Sequence, residues 1–197
     1  MKHNFYKILF ISLFIPTVSY SQSGGSAKFF MLEFNSLFGW GGAKTATDAT
    51  TPSIGNFNLG IGLGVNIKKV TLGLSYDYRM LTQFSDVDAT IGNRRGTFIS
   101  PTSLLFRINF EKIKIGILLI NNGTYNLMNI TANGKKVVYT NPSGFRFDFI
   151  FRKMNKFTPV IFFESVTFSG MNLDGIPSAL TSNLIYSSYG AGLKYDF

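Results

Sequence analysis

Residues 55–69 read GNFNLGIGLGVNIKK. Phe57, Leu59, Ile61, Leu63, Val65 and Ile67 take every second place, and Asn58, Gly60, Gly62, Gly64 and Asn66 fill the places between. A period of two describes a β-strand with unlike faces. The fold turns on where the apolar row points: into a core, or out towards lipid.

The rest of the chain repeats this pattern. Alternating segments run over Lys28 to Trp40, the opening stretch, Val70 to Met80, Phe98 to Glu111, Ile113 to Leu127, Gly144 to Lys153, Phe157 to Gly170, and Asn183 to Phe197. The connections alternate in length. Lys68-Lys69, Lys112 and Met154-Asn155-Lys156 are short, whereas 41–51, 81–97, 128–142 and 171–182 are long and polar. Short turns at one rim and long loops at the other mark an up-and-down barrel, and most segments have the length of a tilted membrane strand, about 9–11 residues, or more. Pro101 and Pro159 lie inside segments and are expected near strand ends, where a missing N–H is tolerated.

Two barrels share this alternation. A soluble ligand-binding barrel turns its apolar face inward, and a membrane barrel turns it outward. In Gly144 to Lys153, Phe145, Phe147, Phe149 and Phe151 face away from Arg146, Asp148, Ile150 and Arg152. In Val70 to Met80 a row of six large apolar residues opposes Thr71, Gly73, Ser75, Asp77 and Arg79. Such rows are too bulky for the narrow interior of eight strands, while glycine, serine and charges of both signs suit it. Reversing the faces would place Arg107 and Arg146 in hydrocarbon, at about 2–4 kcal/mol each near mid-membrane. Phe157 to Gly170 is ambiguous, because Glu164 shares a face with Phe162 and Val166. Trp40, Tyr78, Phe98, Phe110, Tyr125, Phe157, Tyr195 and Phe197 lie near segment ends and are expected in interfacial girdles. The fold expected is therefore all-β: an eight-stranded antiparallel up-and-down transmembrane β-barrel.

At 197 residues the chain suits one domain, with 16% aromatic and 15% charged residues. Residues 1–21 read as a secretory signal peptide, with Lys2 and Lys7 ahead of the short apolar run 8–15, and residues 22–197 as the barrel domain. Of the 19 basic residues two lie in that leader, which leaves 17 against 10 acids, a net +7. The bases are scattered, which argues against nucleic acid as a partner. There is no cysteine, and the one histidine is His3 in the leader.

The mature chain resembles small eight-stranded outer-membrane proteins of Gram-negative bacteria, such as the transmembrane domain of OmpA, OmpX and OmpW. The most specific local likeness is the last strand, YGAGLKYDF, whose Leu193, Tyr195 and Phe197 look like the C-terminal signal read by the barrel assembly machinery. The resemblance implies the outer membrane, contact with its lipid and lipopolysaccharide, and association with other envelope proteins. Enzymes among such barrels rely on histidine, so no enzymatic activity, cofactor or metal is expected.

Glu33, Asp77, Arg79, Arg107, Glu111, Lys114, Arg146, Asp148, Arg152, Glu164, Lys194 and Asp196 are the candidate lumen charges. They serve either as a salt-bridged filling or as a polar path for ions, because buried charges must be paired. Arg94 and Arg95 in the second long loop are candidates for gripping lipopolysaccharide phosphate or a partner. Three readings follow: a structural or interaction barrel with its long loops as working surface; a narrow channel or lateral route for small, apolar solutes; or a soluble lipid-binding barrel.

Overall fold

A computed structural model describes residues 29–45, 51–83, 94–130, 136–151, 157–178, 180 and 182–197. The leader, Arg152 and Asn93 lie outside these residues, and the Asp196 side chain is likewise not described. Among the described residues there is no helix. The strands are β1 (Phe30–Lys44), β2 (Ser53–Ile67), β3 (Val70–Gln83), β4 (Gly96–Asn109), β5 (Lys114–Ile120), β6 (Thr124–Ile130), β7 (Lys136–Ile150), β8 (Phe157–Leu173), β9 (Ile176–Ser178) and β10 (Leu184–Asp196).

All pairings are antiparallel, and β1 pairs with β10 from Glu33–Asp196 to Lys44–Ile185, which closes the sheet. β5 and β6 follow one another along the same stave: both pair with β4, and both pair with β7. β9 is a short hairpin arm on β8. The result is a closed barrel of eight staves, with the start of β1 and the end of β10 together at the short-turn rim, where the Phe197 N–H donates to the Leu32 carbonyl.

The register fixes the shape. The pairs Trp40–Tyr189, Tyr189–Phe163, Phe163–Phe147, Phe147–Ile117, Ile117–Phe106, Phe106–Leu72, Leu72–Val65 and Val65–Phe30 lead once around the barrel. The path leaves β1 at residue 40 and returns at residue 30, a stagger of 40 − 30 = 10 residues. Eight staves with that stagger tilt by about 40° from the axis.

Three local features depart from the sequence reading. The predicted segment Ile113 to Leu127 is broken at 121–123, where Gly123 has φ 135°. Pro101 is not near a strand end. Ser75 pairs with Ser103 and Asp77 with Ser100, so Tyr76 faces both Pro101 and Thr102 in a β-bulge. A bulge is where a residue without an N–H is tolerated inside a strand. It also reverses the alternation of β4: Arg107, Leu105 and Ser103 point inward on one side of it, Ser100 and Phe98 on the other. On β7 the inward set changes from Arg146 and Asp148 to Tyr139 and Val137, with Asn141 at φ 53° between them.

Candidate functional site

The faces are inverted relative to a soluble barrel over much of its height. Phe34, Phe38, Ile61, Leu63, Leu72, Leu74, Leu104, Phe106, Ile115, Leu119, Phe147, Phe149, Ile161, Phe163 and Leu193 are all exposed on the outer wall, from every stave. Phe30 and Trp40, exposed by 66% and 58%, bracket this surface along β1. Ten residues at about 3.3 Å, tilted by about 40°, rise about 25 Å, which is the height of the apolar band of a membrane barrel.

Behind that wall lies a network of ions. Arg107 Nη2 donates to both Glu33 oxygens at 2.8 Å. Lys194 Nζ bridges Glu33 at 3.0 Å and Asp148 at 2.9 Å. Arg146 joins Asp148 through Nε at 3.0 Å and Asp77 through Nη1 at 2.8 Å. Ser75 and Asn58 donate to the two Asp77 oxygens at 2.8 and 3.1 Å. Towards the loops, Arg79 clasps Glu164 with Nε and Nη2 at 2.7–3.0 Å. Four acids (Glu33, Asp77, Asp148, Glu164) balance four bases (Arg79, Arg107, Arg146, Lys194), and all eight are buried. Burying one charge alone is costly, whereas a hydrogen-bonded, neutral set can be accommodated.

Glycines make room for these groups. A Cβ on Gly60 would meet the Asn35 amide at 2.4 Å and Asp77 Oδ1 at 2.7 Å, and one on Gly62 would meet Glu33 Cγ at 2.8 Å. The Gly60–Gly62 row of the opening stretch is therefore the floor on which Asn35 and Glu33 lie. Elsewhere Leu37, Ile150, Val160 and Phe162 form an apolar cluster, with Phe162 over Gly39.

Eight of the twelve predicted lumen charges thus form the network. Glu164 falls inward together with Phe162 and Val166, which resolves the ambiguous segment. Glu111 does not belong to the lumen: it is exposed in the turn after β4. Lys114 is half-buried at the start of β5, and Asp196 has its backbone paired with Glu33.

The loop end of the interior departs further from expectation. It is apolar and aromatic: Ala43, Ile54, Leu81, Phe98, Tyr125, Leu127, Val137, Tyr139, Phe168, Leu184 and Tyr186 pack together. Phe98 and Tyr125 are therefore inside and not in an interfacial girdle. The Phe98 and Phe168 rings meet edge-on at 5.0 Å, and Tyr125 stacks on Tyr139 at 5.9 Å. The outer wall here carries exposed Lys44, Ser53, Thr82, Asn141 and Ser169 beside Ile185 and Met128. Beyond Trp40, Phe57 and Met80 the barrel has apolar residues inside and mostly polar residues outside, as in a protein surrounded by water.

Arg94 and Arg95 part company. Arg94 is buried: its N–H donates to Gln83 Oε1 at 2.8 Å, its guanidinium to the Ala43 carbonyl, and its own carbonyl accepts from the Tyr125 hydroxyl. It is thus a tie between β1, β3 and β6, and not a surface contact. Arg95 is exposed. In the last strand, Leu193 and Phe197 are exposed, and the Tyr195 ring packs on Phe157 at 5.5 Å and on Phe197 at 4.6 Å.

No family model and no curated protein matches the sequence. Among solved structures, the chain is similar to Neisserial surface protein A (NspA), with 11% identity and a TM-score of 0.49 over 87% of this chain and 99% of that one. That is a likeness in the course of the chain, and it says nothing of a ligand.

Proposed function

We propose that the protein is an integral barrel of the bacterial outer membrane with a structural or interaction role, its working surface being the long loops. One observation carries this reading: the ion network lies behind the same stretch of wall that exposes aromatic and aliphatic side chains on every stave. Water would not favour so much apolar surface, and a soluble monomer rarely exposes a patch above a few hundred Å². Leu193, Tyr195 and Phe197 offer the assembly machinery an outward apolar stripe. Arg95, exposed beside the start of β4, is the second-loop arginine we assign to lipopolysaccharide phosphate or an envelope partner.

A through-channel for ions or small solutes is the alternative. The Arg79–Glu164 clasp and the Glu33–Lys194–Asp148 bridge cross the lumen between staves and speak against it. The test is reconstitution. Refolded protein should float with lipid vesicles, resist extraction by carbonate, and leave a planar bilayer silent. Recovery in the aqueous phase without detergent overturns the membrane reading, and regular conductance steps overturn the filled lumen.

A further inference from the structure

The short-turn rim carries a charge pattern of its own. Lys68-Lys69 joins β2 to β3, and residues 110–113 join β4 to β5. β3 pairs with β4, so these two turns stand side by side. They are also tied together. The Asn109 N–H donates to the Lys69 carbonyl at 2.7 Å. Asn109 Nδ2 donates to Thr71 Oγ1 at 2.9 Å, and Thr71 Oγ1 donates to Asn66 Oδ1 at 2.6 Å. The Phe110 N–H donates to the Ile113 carbonyl at 2.9 Å and closes the second turn. On this braced edge Lys68, Lys69 and Lys112 are exposed, with the exposed Glu111 beside Lys112.

Two observations point to a ligand at this edge. Lys68 has φ 54°. A two-residue hairpin normally gives that left-handed place to Gly or Asn, because a Cβ is crowded there. Lysine holds it against its backbone preference, and residues held in this way gather at functional sites. The lysines also border the apolar wall. Ile67 precedes Lys68, Phe110 and Ile113 flank Glu111-Lys112, and all three of these apolar side chains are exposed. By the membrane reading they meet acyl chains, so the lysines leave the wall at its hydrocarbon edge. A lysine there lays its methylenes along apolar surface and lifts its ammonium into the headgroup layer. The short turns of such barrels face the periplasm.

We infer that this edge is a binding site for the headgroup of an anionic glycerophospholipid of the periplasmic leaflet. This inference rests on the membrane reading above. Lys68, Lys69 and Lys112 meet the phosphate diester, and the acyl chains of the same lipid cover Ile67, Phe110 and Ile113. Three ammonium groups against one carboxylate leave 3 − 1 = +2, which a zwitterionic headgroup does not neutralise. Each basic residue near an anionic surface raises partition about five-fold. The cell wall is the competing anion on this side, but it has no acyl chain to cover the apolar residues that flank the lysines.

The experiment is fluorescence quenching of the refolded full chain in phosphatidylcholine vesicles. Phe110→Trp in a Trp40→Phe background puts the reporter beside the lysines. A small, equal fraction of brominated phosphatidylglycerol or brominated phosphatidylcholine is then added. The anionic lipid should quench the reporter several-fold more than the zwitterionic one. Lys68→Gln, Lys69→Gln and Lys112→Gln together should bring that ratio close to one, as should high salt, and Glu111→Gln should raise it. The native Trp40, at the other end of the apolar surface, should keep its ratio when the three lysines are replaced. Equal quenching by the two lipids, or a triple substitution that moves both reporters alike, overturns the site and leaves the membrane reading intact. Equal quenching together with retention on peptidoglycan that the triple substitution abolishes assigns the lysines to the cell wall and also overturns it. Protein that does not enter the vesicles at all overturns both readings.

Discussion

Arg79 and Glu164 meet across the full width of the barrel. They belong to β3 and β8, four staves apart in a ring of eight, and Arg79 Nη2 lies 2.7 Å from Glu164 Oε2. Neither side chain is exposed. The pair is a strut that fixes the distance between opposite walls, and its value is best measured by removing its halves.

Glu164→Gln alone leaves a guanidinium buried without its counter-charge. It should lower unfolding stability by about 3–5 kcal/mol. Arg79→Met together with Glu164→Leu should recover most of that loss, because an apolar pair of similar volume carries no desolvation cost. Urea unfolding in lipid vesicles, followed by tryptophan fluorescence of Trp40, gives the cycle. A double variant as weak as the sum of the two singles would contradict the strut.

Glycine substitutions separate two kinds of close packing. A Cβ on Gly190 would meet the Phe38 carbonyl oxygen at 1.9 Å and Gly39 Cα at 2.5 Å, all backbone. At Gly60 the obstacles are the Asn35 and Asp77 side-chain ends. Gly60→Ala should cost about 1–3 kcal/mol, as overpacking does, and Asn35→Ala should relieve it. Gly190→Ala should cost more and should not be rescued by any single side-chain truncation. The same unfolding assay ranks the two, and equal costs would argue against the packing described.

Most of this barrel is legible in the sequence, and the failures have physical causes. The Phe57 to Ile67 alternation and the rows of β3 and β7 give the correct faces because their period of two is unbroken across the band. The reading fails where the period changes phase. The bulge opposite Tyr76 adds a residue to β4, so Phe98 points inward although a strict alternation with Leu104 and Phe106 points it out. The break at 121–123 does the same to Tyr125. Asn-Asn-Gly at 121–123 and Pro101 are the local signals of these interruptions. Arg94 was beyond reach, since its partners Ala43, Gln83 and Tyr125 are distant in sequence, and nothing in an Arg-Arg pair tells which one turns in.

The two arginines give a third prediction. Trypsin should cut after Arg95 and spare Arg94 in the folded protein. Tyr125→Phe removes the hydroxyl that bonds to the Arg94 carbonyl and should cost about 0.5–1.5 kcal/mol. It should also open Arg94 to cleavage. Arg95→Ala should weaken retention on immobilised lipopolysaccharide, whereas Arg94→Ala should lower stability and leave retention unchanged. Mass mapping of the tryptic fragments decides the first point.

Charge scanning of the outer wall measures where hydrocarbon ends. Phe147→Arg, in the middle of the apolar surface, should cost about 2–4 kcal/mol in vesicles, whereas Thr82→Arg, loop-ward of Met80, should cost about 0–1 kcal/mol. Similar costs at both sites would remove the boundary that the change from outward apolar to outward polar residues defines.

The central claim is that the exposed side chains of the wall meet acyl chains. Nitroxide labels on Phe147→Cys and Leu193→Cys, at positions 37% and 48% exposed in the native chain, read this directly in reconstituted vesicles. Power-saturation should show strong relaxation by dissolved oxygen and protection from an aqueous nickel chelate at both sites. Strong nickel relaxation with weak oxygen relaxation would contradict the account.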